Sequence, residues 1–443
     1  MKQSTKVTII FILLYFLWNF QLQYKLTKIA VEEENLVQEI ENLVISTNRL
    51  KQLLLNETNR IEKVSKELKT SVDGATTRKD PTTPSKVSSQ TWNEPILVLV
   101  LACNRAKSLR DHLEKLINHR PSKEQFPIVV SLDCEDSSTA AEAEQFGKQI
   151  DIIKHPAGAK ANIEIPHKAR KWKTYYYISR HYKLALNYVF ETKKVSSVII
   201  TEDDLDIASD FFSFFSNTRY LLEKDPTLWC VSAWNDNGKP EHIDLNATNT
   251  LYRSDFVSGL GWMMTNNTWK ELEPKWPLAY WDDWMREPEQ RKDRQCIRPE
   301  ISRTGMTEFG KKGASSGMFF KDHLARIKVN TVPVDFSKID LGYLLPKSFE
   351  KIMVEEEAEA VPISLESIVS SSWEPEKENM KVKIIYTDKK DFTEKAKKLG
   401  IMSDFKAGVP RTAYNGTVTC FFKNTRIFLI PDRSKIPKYD SSW

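Results

Sequence analysis

The chain has 443 residues, 40% of them hydrophobic, with 12 tryptophans and a formal net charge of +5. That length predicts two or three domains and a sizeable core, and the composition excludes a disordered or fibrous chain. The basic surplus is spread through the N-terminal tether and the C-terminal third without interleaved aromatics, which speaks against a nucleic-acid partner.

The amino terminus sets the compartment. Val7 to Leu22 is almost wholly apolar, with Lys2 and Lys6 before it and Lys25 after it. A cleavable signal peptide is the rival reading, but no small-x-small site follows the run. The expectation is an uncleaved anchor over 7–23, a cytosolic tail over 1–6 and a lumenal remainder. The run is short, which suits a thin early-secretory membrane. In that compartment disulfides form, and Asn56, Asn246, Asn266 and Asn415 are candidate glycan sites.

Leu36, Ile40, Leu43, Thr47, Leu50, Leu54, Glu57, Ile61, Val64 and Leu68 alternate steps of four and three, the seam of a coiled coil able to form a homodimer. The alternative is a single amphipathic helix. Residues 70–92 lose this period and carry Ser, Thr and Pro, as a linker does; stem and linker together occupy 24–92.

The apolar run Ile96 to Ala102 predicts a central parallel strand. A helix over Ser108 to Asn118 follows, then strands at Pro127 to Ser131 and Ile150 to Ile153, and a long helix over Trp172 to Phe190. Val198 to Ile200 predicts a strand that ends on Glu202, Asp203 and Asp204, after which Ser209 is positioned to cap a helix carrying Phe211, Phe212, Phe214 and Phe215. Another strand is expected at Leu228 to Ala233. Strands alternating with helices indicate an α/β doubly wound nucleotide-binding domain over 93–344. No GxGxxG or GxxxxGK[ST] occurs, so neither a dinucleotide fingerprint nor a P-loop is present. Over 345–443 a smaller α+β domain is expected, joined through the acidic stretch Glu355 to Glu359. It would hold a strand at Lys383 to Tyr386, a basic helix at Lys389 to Lys398, and a hairpin of Val418 to Phe422 with Arg426 to Ile430 across Lys423-Asn424.

Three adjacent carboxylates at a strand tip repel one another and call for a cation, ligand donors or open water. A lumenal α/β domain with such a triplet suggests a nucleotide-sugar donor and Mn²⁺ or Mg²⁺; a plain solvated turn is the bland alternative. Transfer also needs a general base, and Trp281-Asp282-Asp283-Trp284 offers two carboxylates between aromatic rings, unless one of them only caps a helix that starts at Trp284.

LWCVSAWNDN at 228–237, GLGW at 259–262, EPKWP at 273–277, WDDWMR at 281–286, RPEISRT at 298–304 and GVPR at 408–411 closely resemble the N-acetylglucosaminyltransferase I family, the α-1,3-mannosyl-glycoprotein 2-β-N-acetylglucosaminyltransferases. The resemblance runs from Ile96 to the C-terminus. It implies a GT-A fold, Golgi residence as a single-pass type II protein, a UDP-GlcNAc donor, a Mn²⁺ cofactor and a high-mannose N-glycan acceptor, Man5GlcNAc2. By the same resemblance Asp204 is the metal ligand, Glu202 and Asp203 hold the sugar and ribose of the donor, and Asp282 is the base. Arg105, Asp133 and His181 look like nucleotide contacts, and Ser315 resembles the phosphate-binding serine of a closing loop. Each has a plainer reading, a local ion pair for Arg105, packing for His181, a flexible turn for Ser315.

The family's bridges would pair Cys103 with Cys134, tying two strand tips, and Cys230 with Cys296, anchoring an acceptor-side loop, with Cys420 left as a buried thiol. The five cysteines show no CxxC spacing, so zinc is not expected. Asn104 and Ser316 depart from the family's usual residues, and Arg303 to Gly310 is longer than usual, which puts donor affinity or loop ordering in question. The sister enzyme acting on O-linked mannose carries a sugar-binding stem domain for which 25–92 is too short and too periodic. A silent glycan-binding protein of this fold would be expected to have lost one of Glu202, Asp203, Asp204 or Asp282, and all four are present.

Overall fold

β1 (Leu97–Ala102) is buried on both faces, and its side chains divide by alternation between two cores. Val98, Val100 and Ala102 enter one hydrophobic cluster, Leu97, Leu99 and Leu101 the other, as a pleated strand covered on both sides requires. The computed structural model describes residues 94–314, 317, 319–377 and 380–443, all within one compact unit. The expected anchor, coiled-coil stem, linker and Asn56 therefore lie outside the described residues, as do Ser315 and Ser316. Among the described residues no helix is long and apolar enough to cross a membrane.

After β1 come β2 (Ile128–Leu132), β3 (Asp151–Lys154), β4 (Ser197–Glu202), β5 (Leu205–Ile207), β6 (Leu228–Ser232), β7 (Leu251–Ser254), β8 (Trp262–Thr265), β9 (Gln295–Pro299) and β10 (Thr304–Met306). Eight of these form one mixed sheet in the order β3-β2-β1-β4-β8-β6-β9-β7. The first four pair in parallel. β8 then enters antiparallel between β4 and β6, and β9 is parallel to β6. β5 and β10 pair separately as a short antiparallel ribbon.

The helices over Ala106–His119 and Lys173–Asn187 follow the expected apolar spacing, the first burying Leu109, Leu113 and Leu116. The phenylalanine helix spans Phe211–Thr218, but Ser209 does not cap it. Asp210 holds the capping position without bonding a helix N–H, because its carboxylate is taken by Arg303, at 3.0 Å from Nη2, and by Asn330 at 2.9 Å.

The disulfides Cys103–Cys134 and Cys230–Cys296 are formed, and Cys420 is free and buried. Cys230 and Cys296 are register partners on β6 and β9, so this bridge joins two adjacent strands of the sheet rather than anchoring a loop.

Farther on lie β11 (Val361–Pro362), β12 (Lys381–Tyr386), β13 (Phe405–Lys406), β14 (Val409–Pro410), β15 (Val418–Phe422) and β16 (Thr425–Pro431). A second sheet runs β11-β12-β16-β15, backed by the Lys389–Leu399 helix, which Asp388 caps at 2.9 Å and Gly400 ends at φ 80°. Lys423 and Asn424 both have positive φ, the turn that a two-residue hairpin favours. The acidic stretch Glu355 to Glu359, expected as a connector, is instead the end of a helix over Pro346–Glu359. Phe349 and Met353 of that helix join the main core, while Glu356 pairs with Lys381 at 2.9 Å.

Candidate active site

β1, β2 and β4 bring their carboxyl ends together, leading into Arg105, Asp133 and the Glu202-Asp203-Asp204 triplet. The chain builds away from β1 through β2 and β3 and resumes on its other side with β4. In open α/β sheets a crevice forms at such a reversal. The Cys103–Cys134 bridge ties the loops that leave β1 and β2.

The three acids have different surroundings. Glu202 Oε1 accepts a 2.7 Å hydrogen bond from the Tyr182 hydroxyl. Asp203 is 1% exposed and pairs through Oδ1 with Arg105, while its buried Oδ2 has no hydrogen-bond partner. Asp204 Oδ2 accepts from Arg105 Nη1 at 2.6 Å. Burial raises Glu202 to about 7, with the charge of Asp204 adding to it. Burial also raises Asp203 to about 7, against the pull of Arg105. Burial works to lower Arg105, but Asp203 and Asp204 outweigh it and hold the guanidinium above its ordinary value. The local ion pair is thus where the structure places Arg105.

The longer segment after Arg303 lies directly over this cluster. The backbone N–H and the hydroxyl of Thr307 both donate to the Asp204 carbonyl, at 2.9 and 2.8 Å. A Cβ on Gly310 would stand 3.5 Å from Asp204 Oδ2 and 2.2 Å from the Met306 sulfur, so any larger residue here must displace the Met306 side chain.

Among the described residues no group of three or more His, Cys, Asp or Glu is arranged to hold a metal ion. Tyr182 holds Glu202, while Arg105 holds both Asp203 and Asp204. Asp204, with the unpartnered Oδ2 of Asp203 beside it, offers hard oxygen donors that fit a divalent cation whose remaining ligands come from a bound diphosphate.

On the β2 side Asp133 pairs with Arg180 at 2.8 Å, and burial raises it to about 6 against that pairing. Ser131 Oγ lies 2.8 Å from His181 Nε2 and 3.0 Å from His155 Nε2. Burial drives His181 down to about 3, so it stays neutral. Three successive residues of one helix, Arg180, His181 and Tyr182, therefore hold Asp133, Ser131 and Glu202.

Tyr182 also reaches the second pair of acids. Its ring centroid lies 4.3 Å from that of Trp281, which stacks on Trp262 at 5.6 Å and on Trp276 at 5.9 Å. Trp281 opens a helix over Trp281–Arg286 that carries Asp282 and Asp283 in its first turn. The helix starts earlier than Trp284, and neither acid caps it. Arg286 Nη1 contacts Asp282 at 2.9 Å and Asp283 at 2.8 Å, and Lys406 adds to Asp283 alone at 3.0 Å. Burial opposes ionisation of Asp283, but Arg286 and Lys406 prevail and lower it. The two side chains are equally exposed, at 43%, but Asp283 is committed to two cations and Asp282 to one, which leaves Asp282 the less engaged of the pair.

Sequence motifs did not single out Tyr182, Arg180, Ser131 or Arg286. The available signals were adjacency to His181 and to the WDDW block for the helix residues and to Asp133 for Ser131, since the partners these side chains take are set by packing.

A model described as the GNT-I family matches residues 1–443. The alpha-1,3-mannosyl-glycoprotein 2-beta-N-acetylglucosaminyltransferase of Arabidopsis thaliana is 40% identical over 340 residues, 76% of this chain and 74% of that protein. Among solved structures, mannosyltransferase PcManGT from Pyrobaculum calidifontis in complex with GDP-Man and Mn²⁺ is similar at 14% identity and a TM-score of 0.33, over 49% of this chain and 58% of that one. S. aureus TarS 1-349 in complex with UDP-GlcNAc is similar at 12% identity and a TM-score of 0.32, over 48% of this chain and 58% of that one. The chain spans less than two thirds of either structure, and likenesses this slight carry no argument.

Proposed function

This chain belongs to the GNT-I family, and from that premise we propose that it moves GlcNAc from UDP-GlcNAc, with inversion, in β1,2 linkage to the α1,3-arm mannose of Man5GlcNAc2 N-glycans. That step opens hybrid and complex N-glycan synthesis. The observation that carries the reading is the single side chain of Tyr182, which joins the acidic triplet to the Trp281 helix and so places two carboxylate sites side by side.

The reaction is one in-line displacement. Asp282 takes the proton of the mannose 2-hydroxyl as that oxygen bonds to the anomeric carbon, and the bond from that carbon to the UDP oxygen breaks on the opposite side. Alignment and fixed charge supply the acceleration, so no second nucleophilic carboxylate is needed. In this reading Glu202 and Asp203 orient the sugar and ribose, Arg105, Asp133 and His181 form the nucleotide side of the site, and Ser315, outside the described residues, is assigned to the phosphates by the family resemblance alone. Asp204 would hold a divalent cation, by our reading Mn²⁺, which when bound neutralises the departing diphosphate. Thr307 holds the Asp204 backbone in place beside this site.

The mixed sheet with its acids at the β4 tip supports a GT-A architecture. The apolar run Val7 to Leu22 between lysines supports a type II anchor in the Golgi membrane with a lumenal catalytic portion, and the heptads after it support a homodimer through the stem.

The test supplies the full chain with UDP-GlcNAc and Mn²⁺, offering Man5GlcNAc2 or an O-mannosyl peptide, with Asp282→Asn beside it. Transfer to Man5GlcNAc2 that falls by about 10²–10⁴-fold in the variant supports the reading. Transfer to the O-mannosyl peptide alone, or to neither acceptor, defeats it.

A further inference from the structure

Next to the candidate base the protein displays aromatic surface that its own core does not use. Trp172 is 44% exposed, Tyr280 37% and Leu278 67%. The rings form a continuous ladder: Trp172 lies 6.3 Å from Tyr175, and Tyr175 stacks on Tyr280 at 4.6 Å with the planes 26° apart.

Tyr280 immediately precedes the helix that carries Asp282, and its backbone is left-handed, with φ 53° and ψ 46°. A bulky residue seldom adopts that conformation, and such outliers gather at ligand clamps. The segment is fixed from below. The Ser179 hydroxyl donates to the Pro277 carbonyl at 2.6 Å, and the Trp276 indole donates to the Ser179 carbonyl at 3.0 Å. These bonds pin 276–277 to the Lys173–Asn187 helix and leave Leu278 and Tyr280 facing outward. Tyr280, stacked on Tyr175, is the capping residue of the Trp281–Arg286 helix, so the ladder adjoins the turn that carries Asp282 and Asp283.

We propose that Trp172, Tyr175, Leu278 and Tyr280 form a platform for the mannose residues of the acceptor beyond the one that reacts. Pyranose rings present C–H faces that pack on aromatic rings, while their rim hydroxyls stay in water. An extended mannose branch is therefore the occupant that suits exposed, uncharged rings beside a proton acceptor. The platform selects an oligomannose glycan over shorter acceptors by holding it in register with Asp282. It rests on the reading of this site as a mannose-accepting transferase.

The test measures steady-state kinetics of the full chain with Man5GlcNAc2 and UDP-GlcNAc for wild type, Tyr280→Ala, Tyr280→Phe and Trp172→Ala. Trp172 is exposed enough that its removal does not threaten folding. The platform predicts that KM for the glycan rises by about tenfold in both alanine variants. The rate at saturating glycan and KM for UDP-GlcNAc stay near wild type, and Tyr280→Phe keeps the low glycan KM. An unchanged glycan KM in Trp172→Ala and Tyr280→Ala overturns the platform, as does a fall in kcat with KM unmoved, which marks Tyr280 as a support for Asp282 only. Absence of transfer by the wild type is a different failure, that of the underlying reading, and takes the platform with it.

Discussion

The Tyr182 hydroxyl donates to Glu202 at 2.7 Å. The ring of the same residue packs on Trp281, so one tyrosine spans the donor acids and the helix that carries Asp282. Burial, then Glu202, hold that hydroxyl well above its ordinary value, with Asp282 and Asp204 contributing. It remains a donor at every working pH, and the carboxylates on both sides are positioned by a group that does not titrate.

Tyr182→Phe keeps the ring and removes the donor. The carboxylate of Glu202 then loses a hydrogen bond in a buried site, a loss of about 1–3 kcal/mol. UDP-GlcNAc affinity, measured by calorimetry, should weaken by roughly tenfold or more, while the Trp281 stack and the melting temperature change little. An unaltered donor affinity would show that Glu202 is positioned by other groups.

Gly259→Ala should be more damaging than its size suggests. The added Cβ would sit 2.8 Å from Trp281 Cη2, and Trp281 cannot retreat because Trp262 and Trp276 stack on it. Overpacking of this kind costs about 1–3 kcal/mol. Because the displaced ring opens the Asp282 helix, kcat should fall along with thermal stability.

Asp204→Asn tests the cation. Wild type treated with a chelator should lose transfer and regain it on adding Mn²⁺, and Mn²⁺ with UDP should raise its melting temperature. In Asp204→Asn that rise in melting temperature should be absent at the same concentrations. An equal rise in both proteins would place the cation elsewhere.

His181 gives stability a pH dependence of known sign. Burial holds it down to about 3 when folded, against an ordinary 6.5 in the unfolded chain. Between those values the unfolded chain binds a proton that the folded one refuses. The full stability is therefore present above about pH 6.5 and is lost as pH falls through the window. His181→Gln should flatten the melting-temperature profile between about pH 6.5 and 4 relative to wild type. Parallel profiles would show that His181 is not held neutral.

The sequence made β1, β2, β4 and β6 legible because each is a run of apolar residues, and the acids at the β4 tip stood out against that background. It did not reveal β7, β8 or β9, whose four or five residues show no long apolar run and become strands only through pairing with distant neighbours. Ser209 was a reasonable cap by residue type, but a buried arginine at 303 drew the chain so that Asp210 took the position. Glu355 to Glu359 resembled a linker by charge, yet Phe349 and Met353 gave that helix an apolar side to bury. Within the site, Asp282 and the triplet were visible as charge, whereas Tyr182 and Arg180 were not. Their roles depend on which face of a helix meets the strand ends, and local pattern does not carry that.

The most direct measurement is the anomeric configuration and linkage position of the product, read by nuclear magnetic resonance after the full chain acts on Man5GlcNAc2 with UDP-GlcNAc. A single displacement with Asp282 as the one base predicts GlcNAc joined β to the 2-oxygen of the α1,3-arm mannose. An α linkage would contradict it, because an in-line displacement at the α-linked donor can only invert the anomeric carbon.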